Sequence, residues 1–214
     1  MSNAPRRALI VIDVQNEYVT GDLPIEYPPV ETSLANIGRA MDAANAAGVP
    51  IVMVQQMGAA TDPIFAQGSH GGELHPVVAG RAYDHLVKKD LPSAFTGTDL
   101  KQWLADHDID TLTIVGYMTH NCDASTIYEA AHAGLHVEFL VDATGSPSYE
   151  NDAGYASAED IHRVFSVVFH SRFAAVVGTD KWIDAVKAGT PVPRGSIYAS
   201  NQAARARARA AAAA

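Results

Sequence analysis

The chain has 214 residues, 48% of them apolar and 18% charged, and a formal net charge of −9. That length can bury a full core and that composition is globular, which excludes a disordered chain. So acidic a surface repels phosphate backbones, so nucleic acid is not expected as a partner.

In chain order, Met1 to Arg7 carries two arginines, but the apolar run behind them is short and is broken by Asp13. A secretory signal is therefore not expected, and a cytoplasmic location is the default. No apolar run approaches the roughly 20 residues of a membrane helix, so no membrane partner is expected. Ala8 to Val14 reads as a parallel strand covered on both faces. Leu34, Ile37, Met41 and Ala44 recur at helical spacing, with Gly48 placed as a C-terminal cap. Ile51–Val54 is the second strand and His85–Lys88 a weaker one. Leu100, Trp103 and Leu104 mark a helix before the strand Thr111–Val115. Ile127, Ala130 and Ala131 mark another that closes at Gly134, before the strand Val137–Val141. Ser157 and Asp160 form a near capping box ahead of Ile161, Val164, Phe165 and Val168. Phe173–Val177 is the last strand, and Trp182, Ile183 and Val186 belong to a short final helix.

This alternation predicts an α/β chain, a three-layer αβα sandwich around a doubly wound, mainly parallel sheet. Residues 1–188 read as a single domain and 189–214 as a low-complexity Arg/Ala tail with no assigned role. Gln56 to Gly80 is a long loop of the kind that forms lids or pocket walls.

In open parallel sheets ligands bind beyond the carboxyl ends of the strands. Asp13 stands near the end of the first strand, Lys88 and Lys89 end the weak one, and Cys122 follows Thr111–Val115 by a short loop. A carboxylate, an ammonium and a thiol thus converge on one edge. Cys122 is the chain's only cysteine, which excludes a disulfide framework and multi-thiolate sites. Its position in the first turn of a helix predicts a thiolate stabilised by unpaired N–H groups and a nearby cation. Asp13, set in an apolar strand, needs a partner such as Lys89. His120, two residues before Cys122, is a weaker candidate for a general base. His70, Glu73 and His75 are too loosely arranged for a metal site, and no glycine-rich phosphate loop is present.

These segments resemble the isochorismatase-like cysteine hydrolases. Asp13-Val14-Gln15-Asn16-Glu17-Tyr18 is similar to their D-x-Q-N-(D/E)-(F/Y) opening, and Lys89 to Leu100 to their K-x-x-x-S-A-F-x-x-T-x-L segment. Gly116 to Cys122 resembles their G-x-x-T-x-x-C loop, and Asp142-Ala143 a D-A pair. The resemblance runs over about residues 6 to 187. It implies an isochorismatase-like hydrolase domain over 1–188 and a catalytic triad of Asp13, Lys89 and Cys122. It also implies a non-proline cis peptide between Tyr117 and Met118, and an oxyanion hole from the N–H groups of Met118 and Cys122. Thr119 and Gln15 would hold the cysteine loop by hydrogen bonds. Tyr18, Phe95, Thr119 and His75 would contact substrate, and the chain would form a homo-oligomer.

The nicotinamidases of this group carry an Asp-x-His metal cluster after the second strand, where this chain reads Gln55-Gln56-Met57. No metal and no cofactor are therefore expected. True isochorismatases, which cleave a vinyl ether, generally lack the cysteine. Cys122 thus favours cleavage of a C–N bond in a small amide, carbamoyl, lactam or imide substrate through a thioester. The rival readings are a redox-sensing cysteine and a ligand-binding homologue without catalysis.

Overall fold

The computed structural model describes residues 4–213. Among the described residues eight strands, eight α-helices and two π-helical turns follow one another. They are β1 (Arg7–Ile12), α1 (Glu17–Thr20), α2 (Val30–Ala47), β2 (Ile51–Gln56), α3 (Pro76–Ala79) and β3 (His85–Lys89). Next come α4 (Leu100–Asp106), β4 (Thr111–Tyr117), a π-helical turn (Thr119–Asp123), α5 (Ala124–His132) and β5 (His136–Gly145). A small hairpin of β6 (Tyr149–Asn151) and β7 (Gly154–Ala156) precedes α6 (Ala158–Val168) and a second π-helical turn (Phe169–Phe173). β8 (Ala175–Val177), α7 (Thr179–Ala188) and α8 (Ile197–Ala212) complete the described chain.

Six strands form one sheet in the order β3-β2-β1-β4-β5-β8, and every pairing in it is parallel. Strand order reverses between β1 and β4, so the crevice there is the expected ligand site. All six residues of β1 are buried because side chains alternate between two covered faces. Ala8, Ile10 and Ile12 join the layer that includes Leu100, Leu104, Ile127 and Phe169. Leu9 and Val11 join the opposite layer, with Ile37 and Met41 of α2 and Trp182 of α7. Helices therefore cover both faces, which is the three-layer αβα sandwich read from the sequence.

Two sequence-level caps hold. Gly48 ends α2 in the left-handed region at φ 68°, its N–H directed to the carbonyls of Ala44 and Asn45. Ser157 caps α6 by accepting from the Asp160 N–H at 3.1 Å. Several boundaries differ, and the last strand begins only at Ala175 because Phe173 belongs to the second π-helical turn. β1 ends at Ile12, one residue before Asp13, because Asp13 itself has φ 50° and turns the chain out of the sheet. β5 runs on to Gly145, past the apolar run, with a register shift against β4 between Ile114 and Gly116. The β6–β7 hairpin is absent from the sequence reading, since its three-residue segments are mostly exposed and too short to show an alternation.

Candidate active site

Asp13, Lys89 and Cys122 reach one point beyond the carboxyl ends of β1, β3 and β4. The left-handed backbone at Asp13 sends the chain sharply away from β1, a conformation that aspartate tolerates better than most residues. Lys89 ends the edge strand with its side chain buried. Its Nζ lies 2.7 Å from Asp13 Oδ2, 3.3 Å from Cys122 Sγ and 2.7 Å from Gln56 Oε1. Apart from that ion pair, neither Asp13 oxygen has a directed hydrogen-bond partner among the described residues.

Cys122 sits in the π-helical turn that joins β4 to α5, rather than in the first turn of an α-helix. The peptide between Tyr117 and Met118 is cis. The turn closes through the N–H groups of Asn121 and Asp123, which donate to the Met118 carbonyl at 3.0 and 3.2 Å. Gly116, at φ 112°, is the last β4 residue paired with β1 and lies pressed against Ile12.

The electrostatics differ from the sequence expectation of a stabilised thiolate. Burial pushes the Cys122 thiol well up, the Asp13 carboxylate pushes it further, and Lys89 only partly opposes them. Burial also raises Asp13 above the ordinary carboxylate range, against the pull of Lys89. Burial disfavours the Lys89 charge, yet Asp13 and Cys122 outweigh it and hold the ammonium above its usual value. A second buried acid, Asp123, adjoins the cysteine with both oxygens unpartnered among the described residues. Burial, and then Asp13, push its pKa well above the ordinary carboxylate range.

A cavity of about 560 Å³ opens over the sulfur. Cys122 and Met118 form part of its wall, while the Asp13 and Lys89 side chains are buried next to the sulfur and outside the lining. Tyr18, Leu23, Phe65 and Tyr149 supply apolar and aromatic surface. Residues 57–59 and 62–65 complete the wall, so the Gln56–Gly80 loop shapes the pocket. Gln15 braces that loop instead of the cysteine turn, donating to the carbonyls of Gln56 at 3.0 Å and Gly72 at 2.8 Å.

Of the four residues expected to touch substrate, only Tyr18 lines the cavity. Phe95 packs in the core layer with Ala94 and Leu100. The Ala94 N–H, bonded to Thr126 Oγ1 at 3.0 Å, fixes the segment there. Thr119 is fully buried and shares hydrogen bonds with the Gly145 carbonyl at 3.1 Å and His162 Nδ1 at 2.8 Å. It therefore anchors the cysteine turn to β5 and α6. His75 caps α3, its Nδ1 accepting from the Val77 N–H at 3.2 Å, away from the cavity. His120 turns to Ser146 at 3.2 Å and the Tyr149 hydroxyl at 3.0 Å, and burial pushes its pKa down to about 4. It positions Tyr149 and makes no hydrogen bond to the sulfur. Asp142 caps α7, accepting from the Thr179 N–H and hydroxyl at 2.9 and 2.7 Å. Gln56 and Tyr149 are site residues that motif reading missed, because neither has a spacing that marks it.

Among the described residues no group of three or more His, Cys, Asp or Glu side chains is arranged to hold a metal ion. Nor is any helix there long and apolar enough to cross a membrane.

A parallel αβα sandwich with a cysteine, a carboxylate and an ammonium at its switch point has the form of a hydrolase. The model of the Isochorismatase domain matches residues 7–181, and the chain belongs to that family of hydrolases. A solved Burkholderia xenovorans LB400 protein, provisionally named an isochorismatase, is 73% identical with a TM-score of 0.95, over 96% of this chain and 99% of that one. A cysteine hydrolase from Pseudomonas syringae pv. phaseolicola 1448A is 25% identical with a TM-score of 0.78, over 86% and 93% of the two chains. The nicotinamidase of Escherichia coli K12 is 26% identical over 64% of this chain and 82% of its own.

Proposed function

We propose that this chain is a cysteine-dependent amidohydrolase that cleaves a C–N bond in a small amide, carbamoyl, lactam or imide substrate. One observation carries the reading: the Lys89 ammonium touches both the Asp13 carboxylate, at 2.7 Å, and the Cys122 sulfur, at 3.3 Å, beneath a cavity onto which the sulfur opens. The likeness to a nicotinamidase and to a cysteine hydrolase supports the same class.

In this reading the Cys122 thiol gives its proton to Asp13 as the sulfur attacks the substrate carbonyl carbon. The raised thiol pKa makes proton transfer and attack a joined event rather than a standing thiolate. Negative charge builds on the carbonyl oxygen, where the Met118 and Cys122 N–H groups serve as donors. Asp13 then hands its proton to the leaving nitrogen, the C–N bond breaks, and a thioester remains on the sulfur. Water loses a proton to Asp13 and attacks the thioester carbon. The C–S bond breaks and the proton returns to sulfur, releasing the acid. Lys89 favours the carboxylate form of Asp13 against the burial that opposes it.

A low-pKa redox sensor fits less well, because the thiol is buried and its pKa is raised. The test is an ammonia- or amine-release screen over primary amides, carbamoyl compounds, lactams and imides. Turnover that disappears in Cys122→Ala, with the circular dichroism spectrum unchanged, is the expected result. Full turnover in that variant would reject the scheme.

A further inference from the structure

The cavity over Cys122 has a one-sided charge. Its lining includes no lysine, arginine or histidine, and it holds two exposed carboxylates, Asp62 and Asp90. Neither is ion-paired among the described residues. Asp62 Oδ2 accepts from the Ala59 N–H at 2.7 Å, which holds the carboxylate on the loop wall. Asp90 follows Lys89 directly, and its carbonyl accepts from Gln56 Nε2 at 3.1 Å, which ties it to the same rim. Lys89 is the cation closest to the sulfur, but it is buried next to it and outside the lining, with its charge opposed by Asp13. The remaining wall is largely apolar, with Tyr18, Leu23, Ile64, Phe65 and Tyr149.

Resting on the amidohydrolase reading, we infer that the site takes amides whose acyl part is apolar and bears no negative charge. A positive charge at the far end of that part improves binding. A carboxylate on the substrate would lose its water among apolar walls with no cation to meet it, and would face Asp62 and Asp90 as well. An ammonium at the same place would reach the exposed rim and keep both water and a counter-charge. The cavity, about 560 Å³, exceeds what a minimal amide such as formamide needs, which leaves room for a ring or a medium alkyl chain.

The experiment uses two matched sets of primary amides, one aromatic and one alkyl. The aromatic set is benzamide, 4-(aminomethyl)benzamide and 4-carbamoylbenzoate. The alkyl set is hexanamide with its ω-amino and ω-carboxylate counterparts. Dissociation constants are measured on Cys122→Ala and kcat/KM on the unaltered enzyme. The neutral and cationic members should bind at least about tenfold better than the anionic one. The double variant Asp62→Asn, Asp90→Asn keeps the acceptor for Ala59 and should narrow the cation-to-neutral ratio by roughly three- to tenfold, with added salt having a similar effect. An anionic amide that binds as well as its neutral partner overturns the inference, as does failure of all six to bind. Cation-over-anion binding without turnover of any amide would retire the hydrolase reading and leave the charge preference standing.

Discussion

Lys89 Nζ stands 2.7 Å from Asp13 Oδ2, an ion pair with both side chains wholly withdrawn from water. Such a pair brings little net stability relative to an apolar replacement, but loss of one member strands the other charge. Lys89→Met is therefore expected to destabilise the fold by about 3–5 kcal/mol in urea unfolding, and to abolish amide turnover. Lys89→Arg should not restore activity, because a planar guanidinium cannot take the place of a compact ammonium among three partners. Wild-type turnover in Lys89→Arg would show that only the charge matters.

The pH profile follows from Asp13. Burial raises its pKa, and the carboxylate form is the one that accepts the thiol proton. Activity is lost as pH falls through that raised value, so the acid limb of kcat/KM should lie above the ordinary carboxylate value of about 4. An uncharged amide as substrate keeps the limb free of substrate ionisation. A limb at or below the ordinary value would mean that Lys89 more than offsets the burial of Asp13.

Asp123 gives a stability prediction of definite sign. Its folded pKa is raised, first by burial and then by Asp13, so the folded state holds this proton more tightly than the unfolded chain. That contribution is complete below the ordinary carboxylate range and disappears as pH rises through the folded value. Asp123→Asn removes the dependence while leaving Asp13 unaltered. Its stability relative to wild type should therefore climb as pH rises above the ordinary carboxylate value of about 4, in urea unfolding. A gap that stays constant with pH would place a charged, solvated carboxylate at this position.

Much of this arrangement could be read from the chain itself, and the remainder was hidden for identifiable reasons. The continuous run Ala8–Ile12 and the cap at Gly48 declare themselves because burial on two faces and a left-handed turn each demand particular residue types. The Asp13, Lys89 and Cys122 positions were visible as polar residues at strand ends. Phe95 and His75 misled because an aromatic ring or a histidine next to a motif fits equally well into a core or a helix cap. Thr119 was legible as an anchor but not as fully buried. Tyr149 was invisible, since it reaches the cavity only through the β6–β7 hairpin and its bond to His120. The thiol's raised pKa depends on three-dimensional burial, which helix position alone does not reveal.

Gly116 marks the point where β4 meets β1 before the cysteine turn. It has φ 112°, and a Cβ there would overlap the Ile12 carbonyl oxygen. Neither the backbone angle nor the strand can yield cheaply. Gly116→Ala is expected to cost more than about 3 kcal/mol and to lower the yield of folded protein. Stability within 1 kcal/mol of wild type, roughly the range of surface substitutions, would show that the two strands are not so tightly apposed.

The most direct measurement is the intact mass of the enzyme after rapid acid quench during turnover of a slow amide, followed by peptide mapping. The account predicts a mass increase equal to the acyl group, on the peptide that contains Cys122, and no such increase in Cys122→Ala. Steady turnover with the sulfur unmodified and the alanine variant equally active would contradict it.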